Sequence, residues 1–393
     1  MLRRAAVVSF LLFLTACTAV PGPSPSSSSS STAAAPSPVR SGSPAPAVPT
    51  PSSAPSPSAA ASPSPPSEAL VLATDAVGDS LLVIDPAAAG NPVEDSIPVG
   101  AAPWDVYVVD GRAFVSTAEG VAVVDLDDRR RTALIPYANP AGGIGYGEYR
   151  AGGTGIVASA DGATVYVAVL RADGTSVLEK MDVAGGRTVG TVEVGLRPFD
   201  LLLSADGSEV YTIDHDSFSV HVVNPATLAA RRIEVAPFGT QGGLASWEKP
   251  HYGAVDDAGN LLLPYQGLAL AVVDPVRGTV TVEEMTANSH QHGTVVAGDA
   301  LLVVGTGAFG NATGSPNLTV RDLGSGAEEV VPLNRLHENV IPWIHPETGR
   351  LYALLSGGYT RDGFWPGITV VDLETFEQHE LEVPGRPQSL AAT

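Results

Sequence analysis

The sequence predicts an all-β fold, a seven-bladed β-propeller of four-stranded blades, from three observations. An apolar stretch that ends in an acid or an amide recurs seven times. A hairpin with a Gly turn precedes the copies, and the two ends of the globular part carry complementary half-repeats. Repeats of about 40–50 residues are typical of propellers, in which each repeat forms one blade.

The seven copies set the length of the repeat. Their successive spacings are 40, 57, 42, 50, 48 and 50 residues. Residues 68–393 divided by seven give about 47 residues per unit, which suits one four-stranded blade. We interpret each copy as the third strand of a blade, ending at Asp85, Asp125, Asp182, Asn224, Asp274, Asp322 and Asp372.

Gly turns predict the first two strands of each blade. Asp161-Gly162 and Asp206-Gly207 each lie between two β-rich runs, and this dipeptide in that setting is a strong hairpin signal. The globular part begins near Glu68 with a strand that lacks its preceding partner, and residues 385–392 resemble a spare first strand. We therefore expect the C-terminal strand to complete blade one, which would remove an open sheet edge.

Two turn motifs carry a family resemblance. Val99-Gly100-x-x-Pro103 and Val194-Gly195-x-x-Pro198 each precede a strand, an Asp-Gly turn and an apolar strand with Tyr or Phe. With the Val-Val-Asp strands, this pattern resembles the YVTN-type seven-bladed propellers related to quinoprotein amine dehydrogenase heavy chains. The resemblance covers residues 68–393 and implies the fold. It leaves function open, because that superfamily includes catalytically silent surface proteins, lactonases, lyases and redox subunits.

The N-terminal part has the pattern of an anchored secretory protein. Residues 1–17 carry Arg3-Arg4, an apolar run and Leu-Thr-Ala-Cys17, which resembles the lipobox of bacterial lipoproteins. Residues 18–67 consist almost wholly of Pro, Ser, Ala, Thr and Gly, a composition that predicts a disordered tether. We expect lipid on Cys17, an extracytoplasmic position on the cell membrane, and a propeller over residues 68–393.

Composition excludes several classes of function. The net charge of −21 argues against electrostatic binding of nucleic acid. The single Cys excludes an intrachain disulfide and a Cys-based zinc site. No nucleophile elbow, phosphate loop, dinucleotide fingerprint or c-type haem motif is present. These observations leave a ligand-binding monomer as the main expectation.

One face of the predicted propeller carries the long loops. The insertions fall at residues 137–154, 236–250, 305–316 and 356–366, all in connections that emerge on the same face. Variable loops on a rigid scaffold mark a binding face, and aromatic rings suit contact with a protein or a glycan of the cell envelope. The alternative is that these rings are buried caps. The candidate ligand-binding residues are Trp104, Tyr146, Tyr149, Trp247, Tyr359, Phe364 and Trp365, with Trp247 and Trp365 as the expected exposed anchors.

Histidines at the entrances of the first strands suggest an alternative function. Alignment on the Gly turns places His251 opposite Trp104 and Phe199. It places His292 opposite Asp105 and Asp200. Imidazoles from adjacent blades beside a carboxylate are suited to a divalent metal or to acid–base catalysis. The candidate metal ligands are therefore His251, His292, His337, Asp105 and Asp200. The alternatives to a binding module are a propeller hydrolase or lyase and a metal-binding protein such as a metallochaperone.

Overall fold

A computed structural model describes residues 69–147, 149–235, 249–265, 268–287, 293–305, 315–358 and 363–393. These residues form seven antiparallel sheets of four strands each, which confirms the predicted propeller. Within these ranges one short 3₁₀ helix, His215–Ser217, occurs, and no helix is long and apolar enough to cross a membrane. We number the blades from one to seven and name the strands of each blade A to D, from the centre outwards.

The strands follow one another regularly along the chain, and each predicted acid-ended or amide-ended stretch forms a C strand. Listed from A to D, blade one is β28 (Pro387–Ala392), β1 (Val71–Asp75), β2 (Ser80–Ile84) and β3 (Val93–Pro98); blade two is β4 (Val106–Val109), β5 (Arg112–Ser116), β6 (Gly120–Asp125) and β7 (Arg130–Pro136); and blade three is β8 (Gly152–Ala158), β9 (Thr164–Leu170), β10 (Ser176–Asp182) and β11 (Arg187–Glu193). Blade four is β12 (Pro198–Leu203), β13 (Val210–Asp214), β14 (Ser219–Val223) and β15 (Ala230–Glu234), and blade five is β16 (Ala254–Val255), β17 (Leu261–Tyr265), β18 (Ala269–Asp274) and β19 (Thr279–Glu284). Blade six is β20 (Thr294–Ala297), β21 (Ala300–Gly305), β22 (Asn317–Asp322) and β23 (Glu328–Pro332), and blade seven is β24 (Val340–Ile344), β25 (Leu351–Ser356), β26 (Gly367–Asp372) and β27 (Gln378–Glu382).

The C-terminal strand closes the ring, as the sequence predicts. Strand β28 pairs antiparallel with β1, so that Ala73 lies opposite Leu390. Beyond this strand, the amide of Thr393 donates to the carbonyl of Leu70 at 3.0 Å. The indole Nε1 of Trp343 in blade seven donates to the carbonyl of Ala69 at 2.7 Å. Blade one is therefore built from both ends of the described chain and is tied to blade seven.

The hydrophobic core lies between the blades. The buried side chains form seven clusters, one at each interface between adjacent blades. Strands β1 and β2 are consequently buried along their whole length on both faces. This explains the continuous apolar runs of the B and C strands. A strand that is buried on both faces has no exposed face, so its sequence does not need to alternate between apolar and polar residues. The outer strand β11, in contrast, alternates between half-buried and exposed residues.

Hydroxyl groups near the inner strands join neighbouring blades. A Ser or Thr at the end of a B strand donates to a carbonyl of the next blade, and in blade three a Thr of the A strand does so. Each of these links replaces a contact with water by a buried hydrogen bond. The pairs are Thr74 Oγ1 to Trp104 O (3.1 Å), Ser116 Oγ to Thr154 O, Ser356 Oγ to Gln388 O, and Thr154 Oγ1 to Pro198 O (2.6 Å).

We predict that deletion of Pro387–Thr393 abolishes cooperative folding. The deletion leaves β1 with an unpaired apolar edge and removes Leu390 from the core between blades seven and one. Thermal unfolding and light scattering measure the effect, which we expect to be loss of the main transition together with aggregation. Deletion of Thr393 alone is the matched control and should cost only about 1 kcal/mol. A truncated protein that melts like the full chain would contradict the closure.

Candidate functional site

The loop face of the propeller carries the exposed aromatic rings. We use this name for the face formed by the B–C and D–A connections, and turn face for the opposite one. Three aromatic residues are among the exposed large hydrophobic side chains: Tyr146 (51% exposed), Tyr149 (49%) and Phe364 (51%). All three lie in loops of the loop face, since Tyr146 and Tyr149 follow β7 and Phe364 precedes β26.

Each exposed ring is held by a polar neighbour. The hydroxyl of Tyr146 donates to the carboxylate of Asp79 at 3.1 Å. The guanidinium of Arg197 lies 4.4 Å from the ring centre of Tyr149, and that of Arg386 lies 3.5 Å from Phe364. Such cation–π contacts fix a ring at little cost while part of it stays exposed. These rings are therefore ordered in advance of any ligand.

Two predicted contact residues are buried instead. Trp365, expected to be an exposed anchor, is only 8% exposed. It lies flat on its own loop, because Gly367 has no side chain where a Cβ would meet the indole at 1.9 Å. Its Nε1 donates to the carbonyl of Leu336 at 3.2 Å. Trp104 is 3% exposed and lies at the channel mouth, where rings of other blades cover it. The other predicted contacts, Trp247 and Tyr359, lie outside the described residues, as does Cys17.

Backbone hydrogen bonds define two rings of residues around the central channel. The amide of Ser116 donates to Asp105 O at 3.0 Å, and that of Ser356 donates to Asn339 O at 3.1 Å, which places Asp105 and Asn339 at equivalent positions. We call this level the lower ring and the preceding residues, nearer the loop face, the upper ring. The lower ring is Asp105, Gly155, Asp200, Tyr252, Gly293, Asn339 and Ser389; the described upper ring is Trp104, Thr154, Phe199, His251, Glu338 and Gln388.

This register corrects one part of the sequence alignment. The amide of Val304 donates to the carbonyl of Gly293 at 3.0 Å, just as Ser116 does to Asp105. Gly293, and not His292, therefore occupies the position of Asp105 and Asp200 in blade six. The alignment of His251 with Trp104 and Phe199 is correct.

Four aromatic side chains form a continuous stack across the channel mouth. The rings of Trp104 and Phe199 are 5.7 Å apart, those of Phe199 and His251 are 4.2 Å apart, and those of His251 and Tyr252 are 4.6 Å apart. The planes of successive rings differ by 25° or less. The stack joins blades two, four and five. The hydroxyl of Tyr252 then reaches Glu338 of blade seven at 3.4 Å.

Two of the predicted metal ligands, His251 and His337, lie in different surroundings. His251 belongs to the aromatic stack. The Nε2 atom of His337 lies 2.8 Å from Thr369 Oγ1, and its ring packs against Trp365 in a T-shaped contact. Among the described residues no three His, Cys, Asp or Glu side chains are grouped so that they could hold a metal ion. His292 lies outside those residues, so the metal site stays a prediction.

A buried charge cluster beside the stack was missed by the sequence reasoning. Asp216 accepts hydrogen bonds from His215 Nδ1 at 2.9 Å and Lys249 Nζ at 2.8 Å, and it pairs with Arg197. Burial opposes ionisation of Asp216, but these partners outweigh it and lower its pKa. Burial also lowers the pKa of His215, which keeps the imidazole neutral. The only signal in the sequence is the polar run Asp214-His215-Asp216 at the end of the B strand.

His215 also extends the aromatic stack. Its ring meets Phe199 edge-on at 5.3 Å and His251 at 5.1 Å. A carboxylate on one ring nitrogen fixes the imidazole tautomer and its orientation. The pair of His215 and Asp216 thus presents an oriented neutral imidazole beside His251, an arrangement suited to proton transfer or metal ligation.

Two carboxylic acids of the lower ring lie close together. The carboxylate of Asp105 accepts from Ile156 N at 3.1 Å and from Ser389 Oγ at 2.6 Å. Asp200 accepts from Gly253 N at 3.0 Å. Burial raises the pKa of Asp105 to about 6. Burial raises the pKa of Asp200 well above its ordinary value, and the charge of Asp105 raises it further.

Comparison with known proteins shows the fold. No protein-family model matches the chain, and no curated protein matches its sequence. Kuenenia stuttgartiensis hydrazine synthase matches with a TM-score of 0.50 and 16% identity, over 69% of this chain and 77% of that chain. The dihydro-heme d1 dehydrogenase NirN, in complex with DHE, matches with a TM-score of 0.51 and 18% identity. This match covers 72% of this chain but only 56% of NirN.

Both neighbours are propeller proteins. At identities this low the matches show a shared architecture and give no information about the chemistry of this chain. The resemblance drawn from the turn motifs therefore holds at the level of the seven-bladed propeller. Membership among YVTN-type lipoproteins stays a prediction.

We predict that Asp105 makes folding less favourable as the pH rises. Its raised pKa means that, between about pH 4 and pH 6, the native state holds a proton that the unfolded chain has lost. Urea unfolding should show that wild type loses about 2 kcal/mol relative to Asp105→Asn between pH 4.5 and pH 7.5. Asp322→Asn, at an exposed turn, is the control and should show no such difference. An equal pH dependence in wild type and Asp105→Asn would refute the raised pKa.

Proposed function

We propose that the protein is a membrane-anchored, extracytoplasmic lipoprotein whose loop face binds a protein or glycan ligand of the cell envelope. One observation carries the proposal: the exposed aromatic side chains among the described residues all lie on that face. Lipidation of Cys17 and the Pro- and Ser-rich tether over residues 18–67 supply the anchor in this proposal. Their sequence pattern supports it.

The arrangement of the exposed aromatic rings suits binding of a ligand without a catalytic step. Tyr149 and Phe364 each lie against an Arg side chain, so a ligand meets a rigid apolar ring with hydrogen-bond donors at its rim. Rigid rings lose little conformational entropy when they bind, and Tyr, Trp and Arg dominate the energy of many interfaces. The turn face lacks exposed aromatic side chains within the described residues, although Val276 and Ile344 are exposed there.

A second candidate is a metal-binding protein or a propeller hydrolase or lyase that uses the channel mouth. The pair of His215 and Asp216 beside His251 favours it, because the carboxylate orients an imidazole toward a second one. In this candidate His292 would be a further ligand.

We predict that Cys17→Ala releases the protein from membranes. Without the thiol there is no position for the lipid, and the apolar run is too short to serve as a stable membrane span. Fractionation of cells and labelling with a radioactive fatty acid measure the effect. We expect wild type to carry label and to sediment with membranes, and the variant to be unlabelled and soluble. Unchanged sedimentation of the variant would contradict a lipid anchor.

We predict that Tyr149→Ala combined with Phe364→Ala weakens capture of the ligand at least tenfold. The two rings are half exposed and fixed, so their removal deletes contact area without opening the core. Binding of the purified full chain to cell-envelope glycan and protein fractions measures this. Val276→Ala combined with Ile344→Ala, on the turn face, is the matched control and should bind like wild type.

Two results would count against the loop face. Equal loss of binding in the turn-face control would place the ligand elsewhere. Stoichiometric zinc in the purified protein that disappears in His251→Ala, with no envelope binding, would favour the second candidate.

A further inference from the structure

A cavity occupies the centre of the propeller below the aromatic stack. Its volume is about 440 Å³, and all seven blades contribute to its wall. Cavities of roughly 300–1,000 Å³ hold small organic ligands in other proteins. It extends from Asp105 and Asp200 along the inner strands to Leu203 and Val255, the last residues before the A–B turns. A ligand would therefore enter from the turn face, opposite the loop face.

The two ends of this cavity differ in chemistry. The end below the stack is polar and acidic, with Asp105 and Asp200 in its wall. The remainder is aliphatic apart from Tyr107, and side chains such as Leu202 and Val295 are only partly buried within the ring. An acidic end and an apolar wall in one cavity match a ligand with a positive head and a hydrocarbon part. The aliphatic part of the wall includes Val106, Val157, Leu202, Val255, Val295 and Ile341.

Blade three lies between the blades that carry the two carboxyl groups, and it has Gly155 at their level. A Cβ on Gly155 would lie 2.8 Å from the Cα of Asp200, so the glycine lets the A strand of blade three lie directly against the backbone of blade four. The next residue, Ile156, donates its amide to Asp105. The backbone of blade three thus contacts both aspartates.

Asp105 and Asp200 have no cationic partner within the part of the chain that the structure describes. Among the described residues no basic side chain contributes to the pKa of Asp105 or Asp200. The hydrogen bonds to Asp105 come from Val106 N, Ile156 N and Ser389 Oγ, which leaves acceptor capacity on the carboxylate. Buried carboxylates are normally paired, because an isolated buried charge is costly. Two of them in one cavity leave a place for a positive group.

One further polar group points to a ligand at this end. Thr294 lines the cavity, and its buried Oγ1 has no hydrogen-bond partner among the described residues. Buried polar groups are nearly always satisfied, so this hydroxyl marks the place of a missing polar partner.

We propose that the central cavity binds a small organic ammonium ion, with its charged end at Asp105 and Asp200 and its alkyl part along the aliphatic wall. The ammonium group donates hydrogen bonds to the two carboxylates, and Thr294 Oγ1 accepts or donates a further one. A bare metal ion fits less well, because it would leave most of the cavity and its apolar wall unused. This site is separate from the loop face.

The test is isothermal titration of n-hexylammonium chloride into the full-length protein. We expect saturable binding of one ion per chain, with hexan-1-ol and hexanoate binding at least tenfold more weakly. Asp200→Asn should weaken binding of the ammonium at least tenfold. Thr294→Val is nearly isosteric, breaks no hydrogen bond within the described residues and should weaken binding about threefold. Asp322→Asn removes the same charge from an exposed turn and is the matched control, expected to bind like wild type.

Circular dichroism of each variant separates loss of binding from loss of fold, and Thr294→Val serves if Asp200→Asn does not fold. Equal binding of hexan-1-ol and hexylammonium would overturn the proposal, because it would show an apolar cavity without an ionic contact. Calcium binding that excludes hexylammonium and is lost in Asp200→Asn would overturn it in favour of a metal site. Absence of any binding at millimolar hexylammonium would also overturn it.

Discussion

The structure depends on burial of both faces of every sheet. Each of the seven core clusters lies between two blades, so no blade has a core of its own and each requires both neighbours. An open ring would leave two apolar sheet faces in water. Closure by β28 is therefore a condition for the whole core, and Trp343, Asp75 and Thr393 reinforce it with hydrogen bonds across the junction. The closed ring also positions the described loop residues that carry Tyr146, Tyr149 and Phe364 on one face.

Charge is arranged in levels along the axis of an otherwise acidic protein. Near the loop face, Arg150, Arg197 and Lys249 surround the aromatic stack, and Asp216 pairs with two of them. Burial lowers the pKa of Arg150 to about 10, and its guanidinium donates to two backbone carbonyls, Ala151 O and Gly153 O. Directly below the stack lie the carboxyl groups of Asp105 and Asp200, for which the described residues supply no cation. The stack of rings thus lies between a level of paired charges and a level with two carboxyl groups.

The sequence predicts the fold well because each repeat is defined by local signals for turns and strands. Asp-Gly turns, apolar B and C strands and a spare first strand are local signals, and each maps directly onto one blade. Side-chain exposure was harder to predict. Trp365 is buried because two glycines of its own blade, Gly357 and Gly367, let the ring lie on the backbone. Trp104 is buried against Phe199 of blade four and the guanidinium of Arg150.

The candidate sites depended on contacts between blades, which no local pattern encodes. His215 and Asp216 come from a short 3₁₀ helix that replaces the usual B–C loop residues, and their partner Lys249 arrives from the next blade. The one-residue error at His292 and Gly293 has the same origin. Hydrogen bonds between the A and B strands fix which A-strand residue lies at each level of the channel. The number of residues between that position and the Gly turn does not determine it alone.

The position of β1 gives the propeller a mechanical property. This strand is the first described element of the chain, yet it lies inside a sheet, paired with β2 on one side and with β28 on the other. A pulling force on the chain ahead of Ala69 acts along the strand, parallel to β1 and perpendicular to its hydrogen bonds. The hydrogen bonds from β1 to β2 and from β1 to β28 are then loaded together in shear. An edge strand that is peeled away would instead lose its hydrogen bonds one at a time. A domain held by its N-terminal end would carry load through its strongest direction.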